Sequence, residues 1–137
     1  MEEDTFINSE GYVYFGINTE NENLEKEDFN SYLGIKPTNF EKKHARGKIP
    51  VTTNWRYSTA KITNPIIFEL IEEIYQKLFP IKDKLISFKR DHPEVNYRLQ
   101  VVFSFGDETP GLSIENHIVN FVSEIGGSLD CDLYNNK

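Results

Sequence analysis

With 137 residues, 38% of them hydrophobic and 13% aromatic, the chain has the size and the large apolar side chains of one packed domain, and it lacks the depleted composition of a disordered one. Its single cysteine excludes an intramolecular disulfide, and apolar runs such as PIIFEL and LQVVFSF fall far short of the roughly 20 residues that cross a bilayer. No charged-apolar-small leader precedes the acidic start MEEDTF, so a soluble cytoplasmic protein without membrane association is expected.

The net charge of -7 is segregated along the chain. Residues 1 to 35 hold nine acids against one base, residues 36 to 63 seven bases against one acid, and residues 101 to 137 six acids against one base. A negative total opposes non-specific nucleic-acid binding, and the simplest expectation is that the basic stretch pairs with the acidic ones across the fold.

In chain order, residues 1–10 read as a flexible lead-in to a single domain over residues 11–134, with residues 135–137 as a tail. GYVYFGIN alternates Val13, Phe15 and Ile17 against Tyr12, Tyr14 and Gly16, the period of a strand with one face on a core. Phe29, Tyr32 and Leu33 then recur at helical spacing, so a short helix is predicted from about Glu25 to Leu33, closed by Gly34. KPTNFEKKHARGKIP has no clean period and reads as an irregular strand or loop ending at Gly47. TTNWRYST reads as a strand with Trp55 and Tyr57 on one side and Arg56 on the other.

Asn64 followed by Pro65 reads as a capped helix start, and Ile67, Leu70, Ile71, Ile74 and Leu78 form a continuous apolar stripe. Ile81, Leu85 and Phe88 continue it to about Asp91 beyond a kink or turn at Pro80. VNYRLQVVFSF is the longest strand signal and is expected at the centre of a sheet. Ile114, Ile118, Val122 and Ile125 mark one more helix, ended by Gly126 and Gly127, and the last strand runs from Ser128 to Tyr134.

On that last strand Leu129, Cys131 and Leu133 share one side, and Asp130, Asp132 and Tyr134 the other. The thiol therefore points away from the two carboxylates. Cys131 is expected to be a buried and unreactive core residue, because free cysteine is a small hydrophobe and no histidine neighbours it in sequence.

The pieces YVYFGI, LGIKPT, RGK followed by NWRYS, and the closing LDCDLY occur in an order that resembles a family of small uncharacterised bacterial proteins, domain of unknown function 4279, over about Tyr12 to Tyr134. The resemblance implies one complete domain of bacterial origin. It carries no catalytic residues over to this chain.

Motifs that would carry chemistry are sparse. His44, His92 and His117 lack metal-ligand spacing, and phosphate-loop, dinucleotide-binding and nucleophile-elbow signatures do not occur, so no cofactor, no metal and no catalytic residue is expected. Asp130 and Asp132 could contribute oxygens to a hard cation in a metal-dependent hydrolase or transferase, but two carboxylates are a weak signal. Cross-strand pairing with Arg98 or Arg56 is the simpler role for them.

What remains is a surface. Tyr12, Tyr14, Arg56, Arg98, Gln100, Asp130, Asp132 and Tyr134 fall on the polar sides of their strands and would share one sheet face. The expected fold is an α+β two-layer sandwich, a mostly antiparallel sheet with helices packed on one face, and an elaboration of the ferredoxin-like arrangement fits that element order. The expected function is that of a small acidic, non-catalytic interaction protein, immunity or antitoxin-like, with a protein partner. A ligand or nucleic-acid binding module using the sheet aromatics and Lys42, Lys43, Arg46, Lys48 and Arg56 is the alternative.

Overall fold

The computed structural model describes residues 5–43, 51–108 and 111–136. Its sheet is built outward from β1 (Glu10–Thr19), which pairs antiparallel with β3 (Thr53–Ser58) on one side and with β5 (Asn96–Phe105) on the other. Beyond β3 lies the short antiparallel β2 (Asn39–Glu41), and beyond β5 lies β6 (Ser128–Asn135), which is parallel to it. The strand order is β2-β3-β1-β5-β6, with the two-residue β4 (Ile62–Thr63) pairing with the start of β1. VNYRLQVVFSF is thus an interior strand, and the centre belongs to the first strand.

Alternation sorts the two faces. Val13, Phe15 and Ile17 of β1 meet Trp55 of β3 and Tyr97, Leu99, Val101 and Phe103 of β5 in one buried layer. The helices α1 (Lys26–Leu33), α2 (Ile67–Leu78), α3 (Lys82–Asp91) and α4 (Asn116–Glu124) cover that layer, so the fold is the expected α+β sandwich. Every member of the α2 stripe, Ile67, Leu70, Ile71, Ile74 and Leu78, is buried. A 3-10 turn over Phe79–Ile81 carries Pro80 between α2 and α3, where the proline ring costs no helical hydrogen bond.

Polar contacts fix the helix layer to the sheet. The Trp55 indole donates to Asn30 Oδ1 at 3.0 Å, and the buried Tyr97 hydroxyl donates to the Leu85 carbonyl at 2.7 Å. Gly34 ends α1 in the left-handed conformation at φ 72°, which a side chain would strain.

Two local expectations are corrected. Asn64 does not cap α2, which starts at Ile67 behind Ile66; Asn64 sits at φ 50° in a turn, and its side-chain oxygen accepts the Ser9 amide at 2.9 Å. That bond ties the turn to the chain entering β1 and uses the oxygen a helix cap would need. Cys131 is exposed rather than in the core. It does lie on the helix side of β6, opposite Val101, but α4 packs its Ile118, Phe121 and Val122 over Phe15 and Leu99 of β1 and β5. The helix layer therefore stops short of the edge strand, where Leu129 and Leu133 are 36% and 50% exposed as well.

The charge segregation resolves in part as expected: three bases of the stretch pair with acids of residues 1–35, while Lys36 and Arg56 form no ion pair among the described residues. Lys42 Nζ donates to the Glu22 and Leu24 carbonyls at 2.6 and 2.7 Å and pairs with Glu25 at 3.0 Å, binding the strand-β2 region to the loop before α1. Lys43 and Lys61 pair with Glu22 and Glu10 at 3.8 and 2.8 Å. Gly47, where the loop was expected to end, and His44, Arg46 and Lys48 lie outside the described residues. No helix among the described residues is long and apolar enough to cross a membrane.

Candidate functional site

The face of the sheet opposite the helices carries the even-numbered residues of β1. Tyr12, Tyr14, Gly16 and Asn18 point there, and register places the neighbours of each. Gly16 is opposite Arg56 on β3 and opposite Arg98 on β5, so the two arginines flank a position that has no side chain. One row along, Tyr14 lies between Ser58 and Gln100, and Gln100 is in turn opposite Asp130. The next row sets Tyr12 beside Val102 and Asp132, and Tyr134 lies beyond, opposite Ser104.

The eight residues singled out from the alternation are thus on one face, but not in the pairs expected. The register gives Asp130 to Gln100 and Asp132 to Val102, and Arg98 faces Ser128. Among the described residues neither aspartate forms an ion pair, and neither Arg56 nor Arg98 has a carboxylate within 4.0 Å, whereas Arg90 pairs with Asp91 at 3.6 Å. Asp130 turns back on its own strand, accepting the Cys131 amide at 3.0 Å. Among the described residues no group of three or more His, Cys, Asp or Glu side chains converges. Lys42 and Lys43, assigned to phosphates in the nucleic-acid alternative, are engaged by the loop before α1 instead.

Aromatic packing organises the arginine side of the face. The Tyr12 and Tyr14 rings stack with centroids 6.2 Å apart at 22°, and the Arg56 guanidinium lies 4.7 Å from the centre of the Tyr14 ring. Burial pushes the Tyr14 phenol pKa up, Arg56 and Arg98 oppose that rise, and Tyr12 and Asp132 add to it. The phenol is therefore a neutral donor at physiological pH.

Between Arg56 and Arg98 a cleft of about 40 Å³ opens over Gly16, lined also by Tyr14, Asn18 and Asn54. Asn18 and Arg98 belong equally to a second hollow of about 240 Å³, completed by Asn96, Tyr97, Gly126, Gly127 and Ser128. Asn96 donates to Asn18 Oδ1 at 3.1 Å across β1 and β5, which fixes the Asn18 amide at the junction of the two. Gly16, Asn18, Asn54 and Asn96 were missed from sequence. Parity already put Gly16 and Asn18 on the tyrosine face, but only the strand register brings them between two arginines.

Gln100 is the anomaly on this face. It is 1% exposed, and its amide nitrogen has no hydrogen-bond partner among the described residues. Buried polar groups are nearly always paired, so Gln100 bears a local energetic cost beside the tyrosines.

Together these features define a class: an α+β domain in which helices roof one sheet face and leave the other, rich in tyrosine, arginine and aspartate, open. The chain belongs to the family described as Domain of unknown function (DUF4279), whose model matches residues 9–136. No curated protein and no solved structure matches the chain.

Proposed function

We propose that the protein is a non-catalytic recognition module that binds a partner protein by surface complementarity, in the manner of an immunity or antitoxin protein, and that the open sheet face is the binding surface. The observation that carries this reading is the stacked Tyr12–Tyr14 pair with Arg56 laid on it, on a face no helix covers. Tyrosine and arginine are the side chains that dominate binding energy at protein interfaces, because each combines a large contact area with a polar end. Prior packing of the rings and the guanidinium lowers the ordering cost of association.

Neighbouring genes supply the candidate partners. Titration calorimetry of each purified neighbour against the wild type and against the Tyr12→Ala, Tyr14→Ala double variant tests the proposal. One neighbour is expected to bind, with at least a tenfold loss in the double variant. Binding that survives the double substitution and is lost instead on changing the exposed helix-side residues Phe68 and Phe79 would move the interface off the sheet.

A further inference from the structure

Arg56 and Arg98 stand on either side of Gly16, two strand spacings apart, so their backbones are separated by roughly 10 Å. That is a span two guanidinium groups can close around one small anion. Both lack a carboxylate partner among the described residues: on their face Asp130 and Asp132 lie opposite Gln100 and Val102, Glu41 opposite Asn54 and Glu10 opposite Ser104, and none of the four pairs with either guanidinium. Arg56 is held in place by the Tyr14 ring. A guanidinium is always charged, its planar fork matches a carboxylate, and one already fixed by stacking loses little freedom on binding.

The glycine has no conformational reason to be there, since its φ is not in the left-handed region that only Gly34 and Gly126 occupy among the described glycines. Glycine inside a strand weakens the sheet, and it commonly marks a place that another group must approach. A Cβ at Gly16 would come 3.2 Å from the Tyr14 ring, so a side chain there would displace the ring that positions Arg56 and would occupy the floor of the cleft. The cleft volume of about 40 Å³ is a few times the roughly 10–15 Å³ that admits one water. It matches a three-atom carboxylate group better than a nucleotide or a folded chain.

We infer that the cleft over Gly16 is a carboxylate-binding subsite in which Arg56 and Arg98 grip an acidic side chain or C-terminus of the partner. This rests on the open face being the recognition surface, and it names the chemical group that the face selects.

The test is a backbone amide NMR titration with sodium acetate, run against sodium chloride at the same ionic strength and against sodium phosphate. Acetate is expected to give saturable shifts at Gly16, Arg56 and Arg98, to be lost in Arg98→Gln and Arg56→Gln, and to be reduced at least fivefold in affinity in Arg98→Lys. Unchanged shifts elsewhere in the spectra report that the variants remain folded. Shifts equal to those of chloride, shifts that persist in both Gln variants, or a response to phosphate alone would overturn the assignment. Partner binding separates the two claims. A partner that needs Tyr12 and Tyr14 but binds both Gln variants at wild-type affinity removes the subsite and leaves the face, while acetate binding without any partner on the face leaves the subsite and removes the proposed function.

Discussion

Arg56 and Tyr14 sit on neighbouring strands but are not register partners: Arg56 is opposite Gly16 and Tyr14 is opposite Ser58, so the guanidinium reaches diagonally over the glycine to lie 4.7 Å from the Tyr14 ring centre. Diagonal neighbours on a sheet are within reach of long side chains, and a bulkier residue at position 16 would stand in the way. Gly16 thus serves two purposes with one missing side chain: it lets Arg56 and Tyr14 meet, and it opens the floor between the arginines.

The helix stripe gives the plainest stability expectation. Ile71 and Ile74 are 1% and 0% exposed at the centre of α2 against the sheet. Truncating either to alanine removes buried methyl groups from a packed layer and should cost about 2–5 kcal/mol in urea unfolding. A loss below about half a kcal/mol would mean that the stripe does not face the core.

Cys131 should react with a thiol reagent in the native state, because it is exposed on the edge strand. Burial, Asp130 and Asp132 raise its pKa, in that order of importance, so at neutral pH less of it is thiolate than for an ordinary cysteine. Labelling should therefore accelerate as pH rises, and Asp130→Asn should speed it at a fixed neutral pH by removing a neighbouring negative charge. Labelling that requires denaturant would place the thiol back in the core.

Cys131 also shows how far the sequence reaches. Its side of the strand was legible, because alternation is a local property of the backbone. Its burial was not, because that depends on how far α4 extends across the sheet, a matter of crossover geometry that no local pattern encodes. Strand pairing divides in the same way. The polar face was legible from parity, but Asp130 and Asp132 were matched to arginines by charge, and the register instead gives them Gln100 and Val102. The Asn64-Pro65 pair carried a true signal of a helix nearby, but competition from the Ser9 amide for the Asn64 oxygen turned a cap into a turn. The short β4 has too few residues to show any period at all.

Of the described glycines, Gly106 leaves the least room for a side chain. A Cβ there would fall 2.1 Å from the Ile7 carbonyl oxygen, in a junction where the Gly106 amide donates to the Ser9 hydroxyl at 2.9 Å and the Ile7 amide to Asp107 at 2.7 Å. Gly106→Ala must push two backbone segments apart and should cost on the order of 3 kcal/mol in denaturant unfolding. Asp107→Ala, which removes one exposed hydrogen bond and adds no bulk, should cost about 1 kcal/mol or less. Equal effects of the two would show that the junction is loose.

Tyr97 predicts an alkaline limit to stability. Burial raises its phenol pKa far above the ordinary tyrosine value, and the hydroxyl donates to Leu85 within the core. Above about pH 10 the unfolded chain releases this proton while the folded chain retains it, so the contribution is complete below that pH and is lost as pH rises toward the folded-state value. Tyr97→Phe should lower stability by roughly 1 kcal/mol at pH 7 by deleting the hydrogen bond, and it should flatten the decline above pH 10. Urea midpoints measured from pH 7 to 11 check both signs. Parallel curves for the two proteins would rule out Tyr97 as the titrating group.

Gln100 offers a test in the opposite direction. Most substitutions at a residue that is 1% exposed destabilise, yet here the amide nitrogen is buried without a partner among the described residues, and that deficit costs about 1–3 kcal/mol relative to a satisfied group. Leucine has nearly the same reach, carries no donor to leave unpaired, and would pack against Tyr14 in the neighbouring strand. Gln100→Leu is therefore expected to be neutral or to raise stability by about 1 kcal/mol, although it puts an apolar residue into a polar row. The same variant probes the open face, because Gln100 lies between Tyr14 and Asp130 and lines neither the arginine cleft nor the hollow beside it. Acetate binding over Gly16 should survive the substitution unchanged. A destabilisation of more than about 2 kcal/mol would mean that the Gln100 amide is bonded in solution and that the row from Tyr14 to Asp130 is a connected polar network.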